Sequence, residues 1–209
     1  MTQNTSSAVM QQRSEPHTSL DDFPTPPWAT RALCEYLVRK NQLVNPASLS
    51  CAEPAANRGH MVDPLFEYFG RVHASDIHDY GAGYPVQDYL FGTPAETDWT
   101  ITNPPFRLAE QFIETAARSS TDGFAMIVRS AFLEGVGRYN GLFKRNPPSL
   151  ILQFSERVVM HKGKLSAKGS TATAYCWLVW VMGEDGTKLD WIPPCRKRLE
   201  RASDYEGQV

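Results

Sequence analysis

The chain has 209 residues, 42% of them hydrophobic and 11% aromatic, which supplies one substantial core and excludes a wholly disordered or fibrous chain. The formal net charge of −2 hides a polarity: residues 1–128 carry 8 Lys/Arg against 15 Asp/Glu, whereas residues 129–201 carry 13 against 6. A basic second half suits a polyanionic partner, although solvated surface charge explains such a bias equally simply.

In chain order, residues 1–22 are rich in Ser, Thr and Gln with almost no large apolar side chain. Such a segment cannot repay its ordering entropy and reads as a disordered tail. It lacks the basic start and apolar stretch of a signal peptide. Pro27 sits where a first helical turn tolerates proline, and Trp28 to Lys40 has helical spacing with basic residues at its end. Ser48 to Glu53 reads as a strand, followed by the turn Pro54-Ala55-Ala56-Asn57-Arg58-Gly59 and a helix over His60 to Phe69 that Pro64 shortens or kinks. Arg71 to Ser75 is a second strand ending at Asp76, Asp79 to Tyr84 a loop, and Tyr89 to Phe91 a short apolar piece in a third strand region. Trp99 to Thr102 is a strand, Leu108 to Ser119 a helix and Gly123 to Arg129 a strand. Strands alternating with helices predict a parallel sheet covered on both faces, with ligands at the carboxyl ends of the strands. In the last third, Ser149 to Phe154, Arg157 to His161 and Ala174 to Met182 are β-prone runs without helical pattern between them, which suggests an antiparallel end to the sheet. Lys162 to Thr171 is a flexible basic loop.

Cys34, Cys51, Cys176 and Cys195 are far apart and form no C-x-x-C pair, so they read as free thiols of a reducing, cytoplasmic compartment and no metal site is expected. No segment approaches the roughly 18 uninterrupted apolar residues of a membrane helix.

Two constellations carry chemistry. The first spans Ser48 to Asp76: a carboxylate at a strand end (Glu53), a tight turn into a helix start (Gly59), and a second acid (Asp76) that can accept both hydroxyls of a ribose. Gly59 permits close backbone approach to a ligand, and Asn57 occupies a position that tolerates positive φ. Further on, Asp88 can accept from an adenine amino group while Tyr89 covers the ring. The second is Asn103-Pro104-Pro105-Phe106, directly after Trp99-Thr100-Ile101-Thr102. An exocyclic amine on adenine is a poor nucleophile because its lone pair is delocalised into the ring. The amide oxygen of Asn103 and the carbonyl of Pro104 can accept its two hydrogens and favour a pyramidal nitrogen. The Pro-Pro pair stiffens the turn, and Phe106 offers a stacking face to a flipped base. A plain turn ending a strand is the simpler reading of the bare tetrapeptide.

Taken in order, Asp22-Phe23-Pro24-Thr25-Pro26-Pro27-Trp28, Glu53 to Gly59, Ala74-Ser75-Asp76-Ile77, Asp88-Tyr89-Leu90 and Asn103 to Phe106 resemble the motifs of S-adenosylmethionine-dependent DNA adenine-N6 methyltransferases, and of their small phage and prophage forms in particular. The likeness covers most of residues 22–183, since Arg129 to Gly135 and Ser170 to Tyr175 also look like stretches of that group. It implies an α/β class I methyltransferase (Rossmann-like) fold, with a seven-stranded, mostly parallel sheet, an antiparallel last strand and helices on both faces. It implies a catalytic domain over 23–183 and a short C-terminal extension over 184–209.

The same resemblance implies S-adenosylmethionine as cofactor and DNA as partner, with no metal. Thr25, Pro26 and Pro27 would contact the methionine end of the donor. Glu53, Pro54, Ala55, Asn57 and Gly59 would lie beside its amino acid portion, Asp76 and Ile77 at its ribose, Asp88 and Tyr89 at its adenine. Asn103, Pro104, Pro105 and Phe106 would hold the target base, whose amine attacks the methyl of the sulfonium donor in line, the sulfur leaving as its positive charge disappears. The group usually carries glycine where this chain has Asn57. Arg129, Arg138, Arg157, Lys162, Lys164 and Lys168 are the candidate phosphate contacts by charge and position. With little chain after Met182 for target recognition, short or relaxed sequence preference is expected. The rival readings are a methyltransferase acting on guanine N2 of ribosomal RNA or on protein glutamine, and a non-catalytic nucleic-acid-binding protein of the same fold.

Overall fold

Alternation along the two longest strands decides how the sheet is covered. In β4 (Ser120–Arg129), Ala125 and Ile127 belong to one core while Phe124, Met126 and Val128 belong to another. In β6 (Tyr175–Val181), Tyr175, Trp177 and Val179 part in the same way from Cys176, Leu178 and Trp180. Successive strand side chains point to opposite faces, so a strand apolar at every position must be buried on both.

The structure, a computed structural model, describes residues 21–206; the tail expected over 1–22 lies outside them up to residue 20. Seven strands run in the order β2-β1-β3-β4-β6-β5-β7, with β1 at Ser50–Glu53, β2 at Arg71–Ala74, β3 at Thr97–Thr102, β5 at Leu150–Phe154 and β7 at Lys188–Ile192. β6 runs antiparallel to both its neighbours, β4 and β5, and every other pair is parallel. Helix α1 (Pro27–Arg39), the short α2 (Val62–Phe66) and α5 (Arg196–Leu199) pack on one face through Leu33, Leu65 and Leu199. Helix α3 (Ala109–Ser119) covers the other through Phe112, Ile113 and Ala116, joined by Leu142 of the helical stretch that starts with α4 (Val136–Arg138). The doubly covered, mostly parallel seven-stranded sheet expected from the sequence is therefore present.

Several elements differ in extent or kind from the sequence reading. The antiparallel strand is β6, and β7 follows it from within residues 184–209, adding a parallel edge beside β5. Tyr89 to Phe91 forms a turn: Asp88 Oδ1 accepts the Leu90 N–H at 2.9 Å, closing the backbone on itself, and only an isolated bridge joins Asp76 to Val86. Arg157 to His161 is no strand either. Val158, Val159 and Met160 are buried in succession without a partner strand, so their apolar run reports core covering. The helix expected over His60 to Phe69 contracts to Val62–Phe66, with Pro64 in its first turn, where the missing N–H costs no hydrogen bond.

The C-terminal segment is fastened to the body by a buried charge. Arg31 on α1 is only 3% exposed, pairs with Glu67 and Asp204 at 2.8 Å each, and donates to the Leu199 carbonyl at 2.9 Å. Arg201 adds a second cation on Glu67 at 2.7 Å. Asp204, whose side chain is 4% exposed, needs the guanidinium, because a buried charge left alone is strongly destabilising. Arg31→Met should therefore lower the unfolding free energy by about 3–5 kcal/mol, seen as a lower urea midpoint at unchanged slope; an unchanged midpoint would show that the cluster adds nothing.

Candidate functional site

Where β1 and β3 end side by side, one carboxylate holds them together. Glu53 is fully buried, and its Oε1 accepts from Thr102 Oγ1 at 2.5 Å and from the Ala55 N–H at 3.0 Å. It thus joins the end of β3 to the turn leaving β1. Burial pushes its carboxyl up to about 8, against the opposing pull of those two hydrogen bonds, and Oε2 is buried without a partner. The group sits behind the turn as a neutral acid at pH 7.

The turn itself is sewn to the end of β2. The Ala56 N–H donates to the Ser75 carbonyl at 2.9 Å and the Asn57 N–H to Asp76 Oδ2 at 2.9 Å, while Asp76 Oδ1 accepts the His78 N–H at 2.9 Å. Asn57 has a φ of +50°, the left-handed conformation its position requires. Its side chain accounts for asparagine in place of glycine: Nδ2 donates to Asp22 Oδ1 at 2.7 Å and Oδ1 accepts the Arg58 N–H at 2.7 Å. Gly59 also has positive φ, +90°, but a side chain there would run into the Tyr84 hydroxyl. The close approach that selects glycine is to Tyr84, where the sequence reading expected a ligand.

Residues 21–25 form a strap over these strand ends. Asp21 Oδ2 accepts the Phe106 N–H at 2.5 Å, and the Phe23 carbonyl accepts Asn103 Nδ2 at 2.8 Å. Asp22, placed by composition at the end of a tail, is buried; it pairs with Arg58 at 3.1 Å and its carbonyl accepts the Gly163 N–H at 2.8 Å. Thr25 was expected at the site, but the ties made by Asp21, Asp22 and Phe23 were not, because their partners lie far along the chain.

Strap, turn and strand ends enclose a cavity of about 750 Å³, within the range of small-molecule sites. Of the sequence-predicted residues, Thr25, Pro54, Ala55, Asn57, Asp76, Ile77, Asp88, Tyr89, Asn103, Pro105, Phe106 and Arg129 line it. Pro26, Pro27, Glu53, Gly59 and Pro104 are buried and do not line it. Tyr89 contributes less than expected, being 6% exposed with its hydroxyl 3.2 Å from Ser119 Oγ and its ring 5.1 Å from Phe112. His60, not foreseen, also lines the cavity; burial and the neighbouring Arg58 charge push it down to about 4, so it is neutral.

Asn103 is the most telling lining residue. With Nδ2 spent on the Phe23 carbonyl and 3.9 Å from Met160 Sδ, its Oδ1 is buried with no hydrogen-bond partner. Thr25, another lining residue, likewise has a buried and unpartnered Oγ1. Buried acceptors of this kind cost about 1–3 kcal/mol unless a ligand satisfies them.

The six basic candidates do not share one surface role. Arg129 is at the cavity. Arg138 is committed elsewhere, to Glu110 at 3.1 Å, to the carbonyls of Phe132 and Glu134 at 2.8 and 2.6 Å, and over the Phe132 ring at 4.0 Å. It fixes the fold of residues 132–138, and any phosphate contact by Arg138 would be made alongside these bonds. Arg157 is exposed and donates to the Ala172 carbonyl at 3.2 Å. Lys162, Lys164 and Lys168 stand on the exposed loop that Gly163 ties to the strap. Among the described residues, no group of His, Cys, Asp or Glu could hold a metal ion and no helix is long and apolar enough to cross a membrane.

Glu53 sets a pH dependence. Its folded-state value lies above the ordinary one, so its contribution to stability is complete below about 4.5 and is lost as pH rises through about 8. Glu53→Gln, which mimics the protonated acid, should flatten that loss: between pH 5 and 8 the wild-type Tm should fall relative to the variant, and parallel curves in thermal unfolding would refute the buried neutral acid.

No protein-family model and no curated protein matches the chain. Solved structures do. A candidate class I S-adenosylmethionine-dependent methyltransferase of Listeria monocytogenes superposes with a TM-score of 0.62 at 15% identity, over 83% of this chain and 67% of that one. The modification subunit of a candidate type I restriction enzyme from Vibrio vulnificus gives 0.58 at 16% identity over 88% of this chain, which spans half of the subunit's length. A candidate RNA methyltransferase of Pyrococcus horikoshii gives 0.57 at 14% identity over 83% and 95%. At these identities the likeness is one of fold, and the fold is that of class I methyltransferases.

Proposed function

We propose that this chain transfers a methyl group from S-adenosylmethionine to the exocyclic N6 of adenine in DNA, with short or relaxed sequence preference. The observation that carries this reading is the amide of Asn103, a residue lining the cavity, whose Nδ2 is tied to the Phe23 carbonyl while Oδ1 stays buried and unpartnered. That tether occupies the donor end of the amide and leaves its acceptor end for a ligand.

The cavity fits the donor by volume and by chemistry. Asp76 accepts two backbone N–H groups, yet a carboxylate has about four lone-pair sites and keeps capacity for ribose hydroxyls. Asp88 spends only Oδ1 on its own turn, leaving Oδ2 for a purine amino group. Thr25 Oγ1 and the Pro54-Ala55-Ala56-Asn57 turn would border the amino acid portion. When bound, S-adenosylmethionine supplies an electrophilic methyl group on a sulfonium.

The protein's own part is to prepare the amine. Asn103 Oδ1 and the Pro104 carbonyl accept its two hydrogens, so the nitrogen lone pair leaves conjugation with the ring. Phe106 stacks on the base, and the Pro-Pro pair keeps the acceptors from relaxing. Positioning and electrostatics would account for the rate. DNA is favoured as acceptor by the ordered motifs from Thr25 to Phe106 and agrees with the restriction-enzyme subunit of like fold. An RNA acceptor is the second reading, because the RNA methyltransferase of like fold is matched over nearly its whole length.

Radiolabelled donor incubated with unmethylated DNA, with RNA and with protein, followed by nucleoside analysis, tests the reading. Label should appear as N6-methyladenine in DNA alone, and Asn103→Ala should cut turnover by about 100-fold or more while donor affinity stays near normal. Label in RNA or protein only, or equal turnover by the variant, would overturn the assignment.

A further inference from the structure

The stacking surface offered by Phe106 is already covered. The guanidinium carbon of Arg129 lies 4.1 Å from the centre of the Phe106 ring and 6.0 Å from that of Phe23, and the two rings meet at 5.4 Å, tilted by 41°. A guanidinium is planar, delocalised and weakly hydrated, so it stacks on an aromatic face much as a nucleobase does. On the same turn Asp21 accepts the Phe106 N–H, and the nearby Asn103 Oδ1 is shielded without a partner. The acceptor assigned to the substrate amine is thus shut off from solvent in this state.

Arg129 differs from its surroundings in being able to leave. It is the last residue of β4 and is exposed, whereas Phe124 to Val128 before it are buried. Rotating its side chain outward gives up its hydrogen bond to the Tyr175 side chain and carries a positive charge to the rim of the cavity.

We propose that Arg129 is a placeholder for the target base: it stacks on Phe106 in the substrate-free protein, yields that ring to an incoming planar base, and then meets the phosphate backbone beside the extruded nucleotide. The inference rests on reading Asn103 to Phe106 as the base-binding turn. Arg129 is then a positioning residue with two opposed effects, competing with the base and attracting the strand that carries it. A cation that served only for solubility would have neither effect, and one that merely braced the turn would weaken both ligands when removed.

Two fluorescent probes separate the effects: 2-aminopurine riboside, which has no phosphate, and a single-stranded oligonucleotide holding one 2-aminopurine. In the full chain, Arg129→Ala should bind the riboside about three- to tenfold tighter, as expected from removing a competing cation–π contact. It should bind the oligonucleotide more weakly, with a salt slope shallower by about one phosphate contact. Arg129→Gln, a milder surface change, should move both affinities in the same directions. Unchanged or weaker riboside binding by both variants would overturn the placeholder. Phe106→Ala tells that failure from failure of the underlying site: loss of riboside binding with no gain on removing Arg129 sinks the placeholder alone, whereas riboside binding indifferent to Phe106 sinks the base-binding turn as well.

Discussion

A single buried carboxylate determines where the site can form. Glu53 lies at the end of β1 with no exposure and reaches across to Thr102 at the end of β3 and forward to the Ala55 N–H. Parallel strands end in loops that would otherwise diverge, and this acid keeps two of them abreast at the carboxyl edge of the sheet. The turn after β1 then leans on Asp76, and the turn after β3 presents Asn103. Its desolvation is tolerated because the acid is kept protonated, so the interior holds a hydrogen-bonding group without holding a charge.

On top of this frame the strap from Asp21 to Thr25 completes the enclosure from the opposite end of the chain. It makes three kinds of contact within three residues: a carboxylate to the Phe106 backbone, a buried carboxylate to Asn57 and Arg58, and a carbonyl to Asn103. Each contact orients a side chain or turn that the site uses. The departure from glycine at position 57 belongs to this arrangement, since its side-chain amide, together with Arg58, links the turn to Asp22.

Much of this was legible in the sequence, and the boundary between what was and was not has a physical basis. Local signals survive: Pro27 opens α1, the apolar-threonine run is β3, and Asn103 to Phe106 follows it directly. The lining of the cavity by Thr25, Asn57, Asp76, Asp88 and Asn103 follows from motif order along the chain. Contacts between distant polar residues leave no periodic trace, so the strap's ties went unseen, with Asp22 bonding Asn57 across 35 positions and Asp21 reaching Phe106 across 85. Charge alone cannot distinguish a solvated arginine from a committed one, which is why the bracing of a loop by Arg138 was not foreseen. β7 escaped for a related reason: at a sheet edge, with Leu189 and Trp191 exposed, it lacks the apolar continuity of the inner strands.

The order in which the strands sit in the sheet differs from the order in which they occur in the chain, and this constrains assembly. β6 lies between β4 and β5 in space although it follows β5 in sequence. Leu150 to Phe154 is therefore joined to the rest of the sheet only through residues 175–181, and β7, which pairs only with β5, only through both. A growing or refolding chain that has not yet placed β6 leaves two β-prone segments without their link to the half-sheet, and unpaired strand edges are open to association with their own kind.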